Sequence, residues 1–357
     1  MKEKLRVGIA GYGVVGKIRH QHIDAHPQMN VVAVCDQDFA GSWKKLRTVR
    51  CFDHYKKLLK EDLDVLFVCL PNYLAPEVTI AGLEKGLHVF CEKPPGRSVE
   101  DILRVRACEA RHPKQRLMYG FNHRYHESVR KALQIIRGGK LGGILNLRGV
   151  YGKSKIVSFS SDWRTKRALA GGGIFLDQGI HMVDLMRLFA GEFTEVHSFI
   201  SNDFWKHDVE DNAYALMRTK DGVVGMLHSS ATQWRHSFNL SITLTKGSLI
   251  LSGILSSSKS YGAETITVVH AKDKDAGDPF EETIRYNEDN SWHDEVFDFA
   301  GAMLKGHKVK SGGSLDALKT MKTVYRIYYA DPQWRKEYSI SDPDHQKKSR
   351  QDSIGRV

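Results

Sequence analysis

Three groups of residues have types and spacings that could support chemistry. Gly11-Tyr12-Gly13-Val14-Val15-Gly16 is a G-x-G-x-x-G segment, Glu92-Lys93-Pro94 places a lysine after a short apolar run, and Asp177 and His181 stand four apart. Near neutral pH an imidazole exchanges a proton more readily than other side chains, and a nearby carboxylate can orient it. A lysine can hydrogen-bond a hydroxyl, and its charge lowers the pKa of neighbouring groups. These residue types predict acid/base chemistry on a hydroxyl.

The glycine-rich segment follows a predicted strand directly and opens a predicted helix, which is the context that this motif requires. The first glycine permits a tight turn, the second lets the backbone approach a pyrophosphate, and the third lets the helix pack closely on the strand. The helix amino terminus adds free N–H groups and the positive end of a dipole. The sequence therefore predicts a dinucleotide site.

Asp36 ends the second predicted strand, at the position where such sites carry an acidic residue. A carboxylate there accepts hydrogen bonds from the ribose hydroxyls of adenosine and repels a 2′-phosphate. The next residues are Gln37 and Asp38, so no arginine is available to neutralise a phosphate. The sequence predicts NAD as the cofactor, in preference to NADP.

The elements that must position these residues follow two patterns. Over residues 6–120, short apolar runs alternate with helical stretches, which is typical of a parallel sheet covered on both faces. After residue 121 most strands follow one another without helices, and Asp221-Gly222 predicts a hairpin. Predicted helices cover residues 16–25, 75–85, 98–111, 126–138, 173–189 and 314–330, and the last predicted strand covers residues 265–270.

The predicted fold is an α/β Rossmann domain with a parallel sheet, followed by an α+β domain with a large, mostly antiparallel open sheet. We expect the NAD-binding domain over residues 1–122 and the domain for substrate binding and oligomerisation over residues 123–338. Residues 339–357 form a polar tail that is expected to be disordered.

Composition excludes several classes of protein. The 357 residues carry 53 Lys and Arg against 42 Asp and Glu, a net charge of +11. The basic residues are scattered and match no nucleic-acid motif, so the charge suits an anionic ligand better than DNA. We expect no membrane span, since no apolar run is long enough, and no signal peptide. The five cysteines show no paired spacing, which argues against a disulfide framework or a metal site and favours the cytoplasm.

These motifs, together with Pro71-Asn72, Trp163-Arg164 and Gly171-Gly172-Gly173 before the Asp177 segment, resemble the Gfo/Idh/MocA family. That family includes glucose–fructose oxidoreductase, inositol dehydrogenases and nucleotide-sugar dehydrogenases. The resemblance covers residues 5–330. One position departs from it, because Ala75 stands where the family commonly has a histidine after the Pro-Asn pair.

The resemblance implies a role for each matching residue. Lys93 would contact both the nicotinamide ribose and the reacting hydroxyl, His181 would be the general acid/base, and Asp177 would bind substrate and support His181. Pro71, Asn72, Glu92 and Arg164 would contribute to cofactor binding. Asp162 is a further candidate for binding a polyol, with Arg124, His123 and His293 as weaker ones.

The expected reaction is hydride transfer between nicotinamide and a secondary alcohol of a sugar, cyclitol or nucleotide sugar. Two alternatives stay open. The chain could be a redox-neutral, NAD-using enzyme that cleaves glycosides, or a regulator that senses a dinucleotide or sugar without catalysis. The large sheet also predicts a homodimer or homotetramer, because apolar sheet faces tend to be covered.

Overall fold

The computed structural model describes residues 4–39, 48–155, 163–256, 260–272 and 278–345. Its first sheet has six parallel strands in the order β3-β2-β1-β4-β5-β6. The strands are β1 (Leu5–Ala10), β2 (Met29–Cys35), β3 (Arg50–Phe52), β4 (Val65–Val68), β5 (His88–Glu92) and β6 (Leu117–Gly120). The accompanying helices are α1 (Val14–Asp24), α2 (Tyr55–Leu58), α3 (Ala75–Glu84) and α4 (Val99–Arg111). This strand order is that of a Rossmann fold and confirms the prediction.

The second sheet has eight strands in the order β14-β13-β12-β11-β7-β10-β9-β8. Its strands are β7 (Ile144–Gly152), β8 (Phe193–Ser201), β9 (Asn212–Thr219), β10 (Val224–Ser230), β11 (Ser237–Leu244), β12 (Gly247–Ser252), β13 (Glu264–His270) and β14 (Phe280–Tyr286). Only the β7–β10 pair is parallel. The predicted large, mostly antiparallel sheet is therefore confirmed, and β9 and β10 form the predicted hairpin.

The remaining helices pack against these sheets. They are α5 (Glu127–Arg137), α6 (Arg167–Ala170), α7 (Ile180–Ala190), α8 (Ser291–Leu304), α9 (Ser314–Ala330) and α10 (Pro332–Glu337). A π-helical turn, Phe175–Gly179, leads directly into α7. Strands β4, β5 and β6 are almost wholly buried because helices cover both faces of the first sheet. Among the described residues, none of the helices is both long and apolar enough to cross a membrane.

Three features differ from the sequence prediction. Strand β14 was missed because it lies at the sheet edge with almost every residue exposed, so it has no alternating apolar pattern. Helix α8 was missed as well. The expected disorder of the tail is wrong for residues 339–345, where Ile340 is buried and Asp344 accepts a hydrogen bond from Arg326 at 2.6 Å. Residues 346–357 lie outside the described part of the chain.

Candidate active site

The glycine-rich loop between β1 and α1 has the geometry of a dinucleotide cradle. Gly11 has φ +92°, and a Cβ there would lie 2.2 Å from the carbonyl oxygen of Cys69. A Cβ on Gly16 would lie 2.1 Å from the carbonyl oxygen of Gly11, whereas one on Gly13 would have no atom within 4 Å. The first and third glycines are therefore required by packing, and the open space at the second fits an approaching pyrophosphate.

Asp36 follows β2 and faces this loop. Its Oδ2 accepts a hydrogen bond from the backbone N–H of Tyr12 at 2.7 Å, and its Oδ1 accepts one from the N–H of Asp38 at 3.2 Å. At the start of α1, Val14 is 72% exposed and Gly13 makes no side-chain cap. Unsatisfied N–H groups at a helix start are suited to an anion. The residues present thus fit NAD, with Asp36 at the ribose end of the site.

Glu92 ends β5 and is bound to a buried arginine. Arg19 on α1 donates to Glu92 at 2.7 Å and to Glu295 on α8 at 2.6 Å, and its guanidinium lies 4.4 Å from the ring centres of both Phe90 and Trp292. Burial raises the pKa of Glu295 to about 8, although Arg19 opposes this effect. The structure gives the Glu92 side chain a role in fixing α1 and α8 to β5, and its expected cofactor contact stays a prediction.

Two side chains at the carboxyl edge of the first sheet reach the second domain. Asn72, after β4, is buried and donates from Nδ2 to the carbonyl oxygen of Ala170 at 2.7 Å. Lys93, after β5, donates from Nζ to the backbone carbonyl of Asp177 at 2.6 Å. Both motifs that were expected to contact the cofactor therefore also fix the position of the segment that carries Asp177. Pro71 precedes Asn72 and is partly buried.

Two of the three glycines before this segment are explained by a buried glutamate and its partner Tyr328. Glu210 is fully buried, and its Oε1 accepts hydrogen bonds from the N–H of Gly173 at 2.8 Å, the N–H of Phe175 at 3.0 Å and the hydroxyl of Tyr328 at 2.7 Å. A Cβ on Gly172 would lie 2.3 Å from the Tyr328 hydroxyl, and one on Gly173 would lie 2.2 Å from the Glu210 carbonyl oxygen. These contacts anchor the start of the π-helical turn, which carries Asp177.

Cations from three segments surround the carboxylate of Asp177. Lys153, directly after β7, places its Nζ 3.7 Å from Oδ2, and Arg164 places its Nε 3.9 Å from Oδ1. Burial alone would raise the pKa of Asp177, but the charges of Lys93, Lys153 and Arg164 lower it to about 2. Burial lowers the pKa of Lys153, an effect that Asp177 partly offsets. The carboxylate is therefore ionised throughout the neutral range.

His181 on α7 is buried beside a second imidazole. Its ring stacks on that of His123, with centres 3.7 Å apart and planes at 12°. Burial, followed by the nearby charges of Lys93 and His126, holds the pKa of His181 well below its ordinary value. Among the described residues its Nδ1 has no hydrogen-bond partner. A buried, neutral imidazole with an unused ring nitrogen is suited to accept a proton.

The structure brings some of the predicted site residues together and separates others. Lys93, Asp177, His181, Arg164 and His123 converge between the two domains. The carboxylate of Asp177 does not orient His181, because it faces Lys153 and Arg164. Spacing by four places residues on one face of an α-helix, but Asp177 lies in a π-helical turn.

Arg124 is a correction to the predicted substrate site. It is buried and donates to both oxygens of Asp184, at 2.6 and 2.7 Å, and to Asp316 at 2.9 Å. Two carboxylates occupy its guanidinium, so it forms a structural ion pair. His293 lies on α8 and stacks on Phe297, away from the cluster around Asp177. Asp162 lies outside the described residues.

Several residues at the site were missed from the sequence. They include Lys153, Glu210, Tyr151, whose hydroxyl lies 3.1 Å from His123 Nε2, and Tyr261, which donates to Gln178 at 3.2 Å. Lys153 lies two residues beyond the apolar run at residues 144–151, which predicts a strand, so its place near a strand end was the available signal. Nothing in the local sequence distinguishes Glu210 from a surface carboxylate.

Comparison with known proteins defines the class to which this fold and site belong. Residues 5–121 match the profile of an oxidoreductase family with an NAD-binding Rossmann fold, and residues 129–250 match the GFO/IDH/MocA C-terminal domain. The protein is thus an NAD-binding oxidoreductase with two domains. The chain belongs to the GFO/IDH/MocA family, as the residue motifs predicted.

Several characterised proteins are similar in sequence. Levoglucosan dehydrogenase from Pseudarthrobacter phenanthrenivorans is 26% identical, with 70% of this chain and 73% of that protein aligned. D-glucoside 3-dehydrogenase from Escherichia coli is 32% identical, with 63% and 70% aligned. Myo-inositol 2-dehydrogenase from Thermotoga maritima is 26% identical, with 63% and 68% aligned. All three names describe dehydrogenases that act on sugars or cyclitols.

A solved structure extends the similarity in fold. Levoglucosan dehydrogenase in complex with NADH and levoglucosan superimposes with a TM-score of 0.80 at 22% identity, covering 93% of this chain and 98% of that one. Myo-inositol 2-dehydrogenase from Lactobacillus plantarum gives a TM-score of 0.74 at 23% identity, covering 92% and 97%. The arrangement of both domains is therefore shared along nearly the whole chain.

Proposed function

We propose that the protein oxidises a secondary alcohol of a sugar or cyclitol with NAD, and that Lys93, His181 and Asp177 form its active site. The observation that carries this proposal is the neutral, buried His181 beside the ammonium of Lys93 at the carboxyl edge of the Rossmann sheet. Ligands bind at that edge in folds of this kind. The names of the similar dehydrogenases support the same class of substrate.

The residues divide the reaction between them. Lys93 donates a hydrogen bond to the substrate hydroxyl and stabilises the negative charge that develops on its oxygen. His181 accepts the hydroxyl proton, for which its lowered pKa leaves it deprotonated at neutral pH. Residues 11–16 and Asp36 would hold NAD, which would supply the acceptor for the hydride of the carbinol carbon. The products are a ketone or lactone, a reduced nicotinamide and a protonated His181.

A substrate screen tests the reaction directly. The protein should be incubated with NAD and, separately, with inositols, free and anhydro sugars, glycosides and nucleotide sugars, and the absorbance of the reduced cofactor should be followed. We expect at least one compound to produce NADH in proportion to the alcohol oxidised. If NADH binds but no compound is turned over, the sensing role is favoured. Glycoside cleavage with retained cofactor and no net NADH would favour the redox-neutral reaction.

We also propose that the open face of the second sheet pairs with another copy of the chain. Large apolar side chains on adjacent strands share this face, and they include Phe199 (78% exposed), Leu216 (51%), Met226 (49%) and Val224 (42%). Contiguous apolar surface of this kind is unusual on a monomer.

Light scattering on the purified protein tests the pairing, and we expect a dimer or tetramer. Replacing both Leu216 and Met226 with Glu should reduce the mass to that of a smaller species, since it would bury four charges in a symmetric interface. The variant Lys220→Glu changes an exposed residue between β9 and β10 and serves as the control. A parent protein that is monomeric at micromolar concentration would contradict the proposal.

A further inference from the structure

We propose that the substrate carries a negatively charged group, a carboxylate or a phosphate, and that Lys153 binds it. This inference rests on the proposed function and narrows its substrate class to acidic sugars or cyclitols. It assigns a specificity role to Lys153, which neither the family motifs nor the sequence singled out.

The first argument is the charge around Asp177. Two ammonium groups, Lys93 and Lys153, face this single carboxylate, and Arg164 adds a third cation at 3.9 Å. Even without Arg164, the two lysines and one carboxylate carry an excess positive charge among the described residues. His181 and His123 are neutral, since burial lowers the pKa of both well below the ordinary value, so they contribute no counter-charge. An anionic substituent would balance the excess.

The second argument is the distance at which Lys153 is paired. Its Nζ lies 3.7 Å from Asp177, beyond hydrogen-bond distance, although its side chain is only 21% exposed. Two other buried cations are paired more closely, with Arg19 at 2.7 and 2.6 Å and Arg124 at 2.6 Å from acidic side chains. Partial burial of an ammonium without a close partner is unfavourable. Among the described residues, Lys153 therefore retains donors that a ligand can use.

The third argument is the direction in which these groups lie. Lys93 contacts the backbone carbonyl of Asp177, whereas Lys153 and Arg164 contact its carboxylate oxygens. The site thus has a reacting side, with Lys93 and His181, and a second side with Lys153. A substrate with its hydroxyl at Lys93 would place another substituent towards Lys153. Close by, His236 extends that polar side through Ser154 at 3.1 Å.

Calorimetric binding to the enzyme saturated with NADH tests the inference. The probes are matched neutral and acidic sugars of several configurations: D-glucose, D-glucuronate and D-glucose 6-phosphate, with the corresponding galactose and mannose compounds. In at least one series the acidic sugar should bind about tenfold or more tightly than the neutral one, as expected for a charged hydrogen bond. Comparison of the sugar carboxylates with the sugar phosphates identifies which anion is preferred.

Variants then assign the preference to one residue. Lys153→Met should remove it, Lys153→Arg should keep most of it, and the control Lys155→Met, which changes an exposed lysine two residues away, should leave it intact. NADH binding by each variant shows that it is folded. Equal affinity for neutral and acidic sugars in every series would overturn the inference. So would an equal loss for both classes in Lys153→Met, since Lys153 would then serve only as the counter-ion of Asp177.

Turnover of the same sugars separates this inference from the proposed function. If neutral and acidic sugars are oxidised equally well, the role of Lys153 is contradicted and the proposed function still stands. If acidic sugars bind more tightly but no sugar is oxidised, the proposed function is contradicted. The anion site would then belong to a protein that senses sugars without catalysis.

Discussion

Two regions of the molecule bury cations in opposite ways. In the first, Arg19 and Arg124 each bind two acidic side chains at 2.9 Å or less, and aromatic rings flank Arg19. In the second, Lys153 lies 3.7 Å from the carboxylate of Asp177. Closely paired buried charges fix a structure, whereas a loosely paired one is costly unless a ligand completes it.

This difference assigns separate tasks to the two regions. The Arg19 and Arg124 networks connect α1, β5, α7, α8 and α9, and so hold the two domains that border the site. The cluster around Asp177 lies between these two domains and is more loosely paired. Substitutions in the Arg19 and Arg124 networks should lower the free energy of unfolding. Substitutions in the cluster around Asp177 should instead lower turnover.

The largest expected effect is on catalysis. Lys93→Ala and His181→Ala should each lower turnover on the best substrate by at least about 10²-fold, because each removes a group that acts on the transferring proton or its charge. The double variant should be little worse than either single one, since the groups act together. Steady-state kinetics and titration with NADH provide the comparison, and NADH affinity should change much less than turnover. Near-native rates in both single variants would show that the assigned roles are wrong.

The pH dependence of the parent enzyme should report the lowered pKa of His181. A base whose pKa lies well below the ordinary value of 6.5 stays deprotonated through the neutral range and loses activity only as the pH falls through that low pKa. We therefore expect kcat/KM to be flat around neutral pH and to decline on the acidic side. His181→Ala should have a low rate without that acidic decline. An unchanged acidic limb in this variant would assign the titration to another group.

A smaller effect is expected at the cofactor site. The carboxylate of Asp36, held by the N–H of Tyr12, should favour NAD over NADP by at least several-fold. Asp36→Ala should narrow that gap, and Asp38→Ala provides a control for charge in the same loop. Fluorescence titration with NADH and NADPH measures both affinities. A clear preference of the parent protein for NADPH would contradict the role of Asp36.

Much of the fold could be predicted because short stretches of sequence determine its strands, helices and turns. Buried parallel strands read as apolar runs, the glycines of residues 11–16 mark a strand-to-helix turn, and Asp221-Gly222 marks a hairpin. Strand β14 was not predicted because an edge strand needs no apolar face. The burial of Ile340 was not predicted because one buried residue leaves no periodic signal.

The site was less predictable because its contacts join distant segments. Lys153 meets Asp177 from the end of β7, and Glu210 caps the glycine segment from 37 residues away. Spacing alone could not reveal the π-helical turn that directs Asp177 away from His181. Arg124 stood beside a predicted site residue in sequence, yet two remote carboxylates bind it.

The free energies of unfolding of Arg124→Met and Lys153→Met, measured with denaturant, test the contrast between the two regions most directly. Arg124→Met leaves Asp184 buried with Arg187 as its cation only at 4.0 Å and should lose about 3–5 kcal/mol. Lys153→Met removes a loosely paired ammonium while Lys93 and Arg164 still face Asp177, so it should change stability by less than about 1 kcal/mol. Equal and large losses in both variants would contradict the account, because Lys153 would then be a structural ion pair like Arg124.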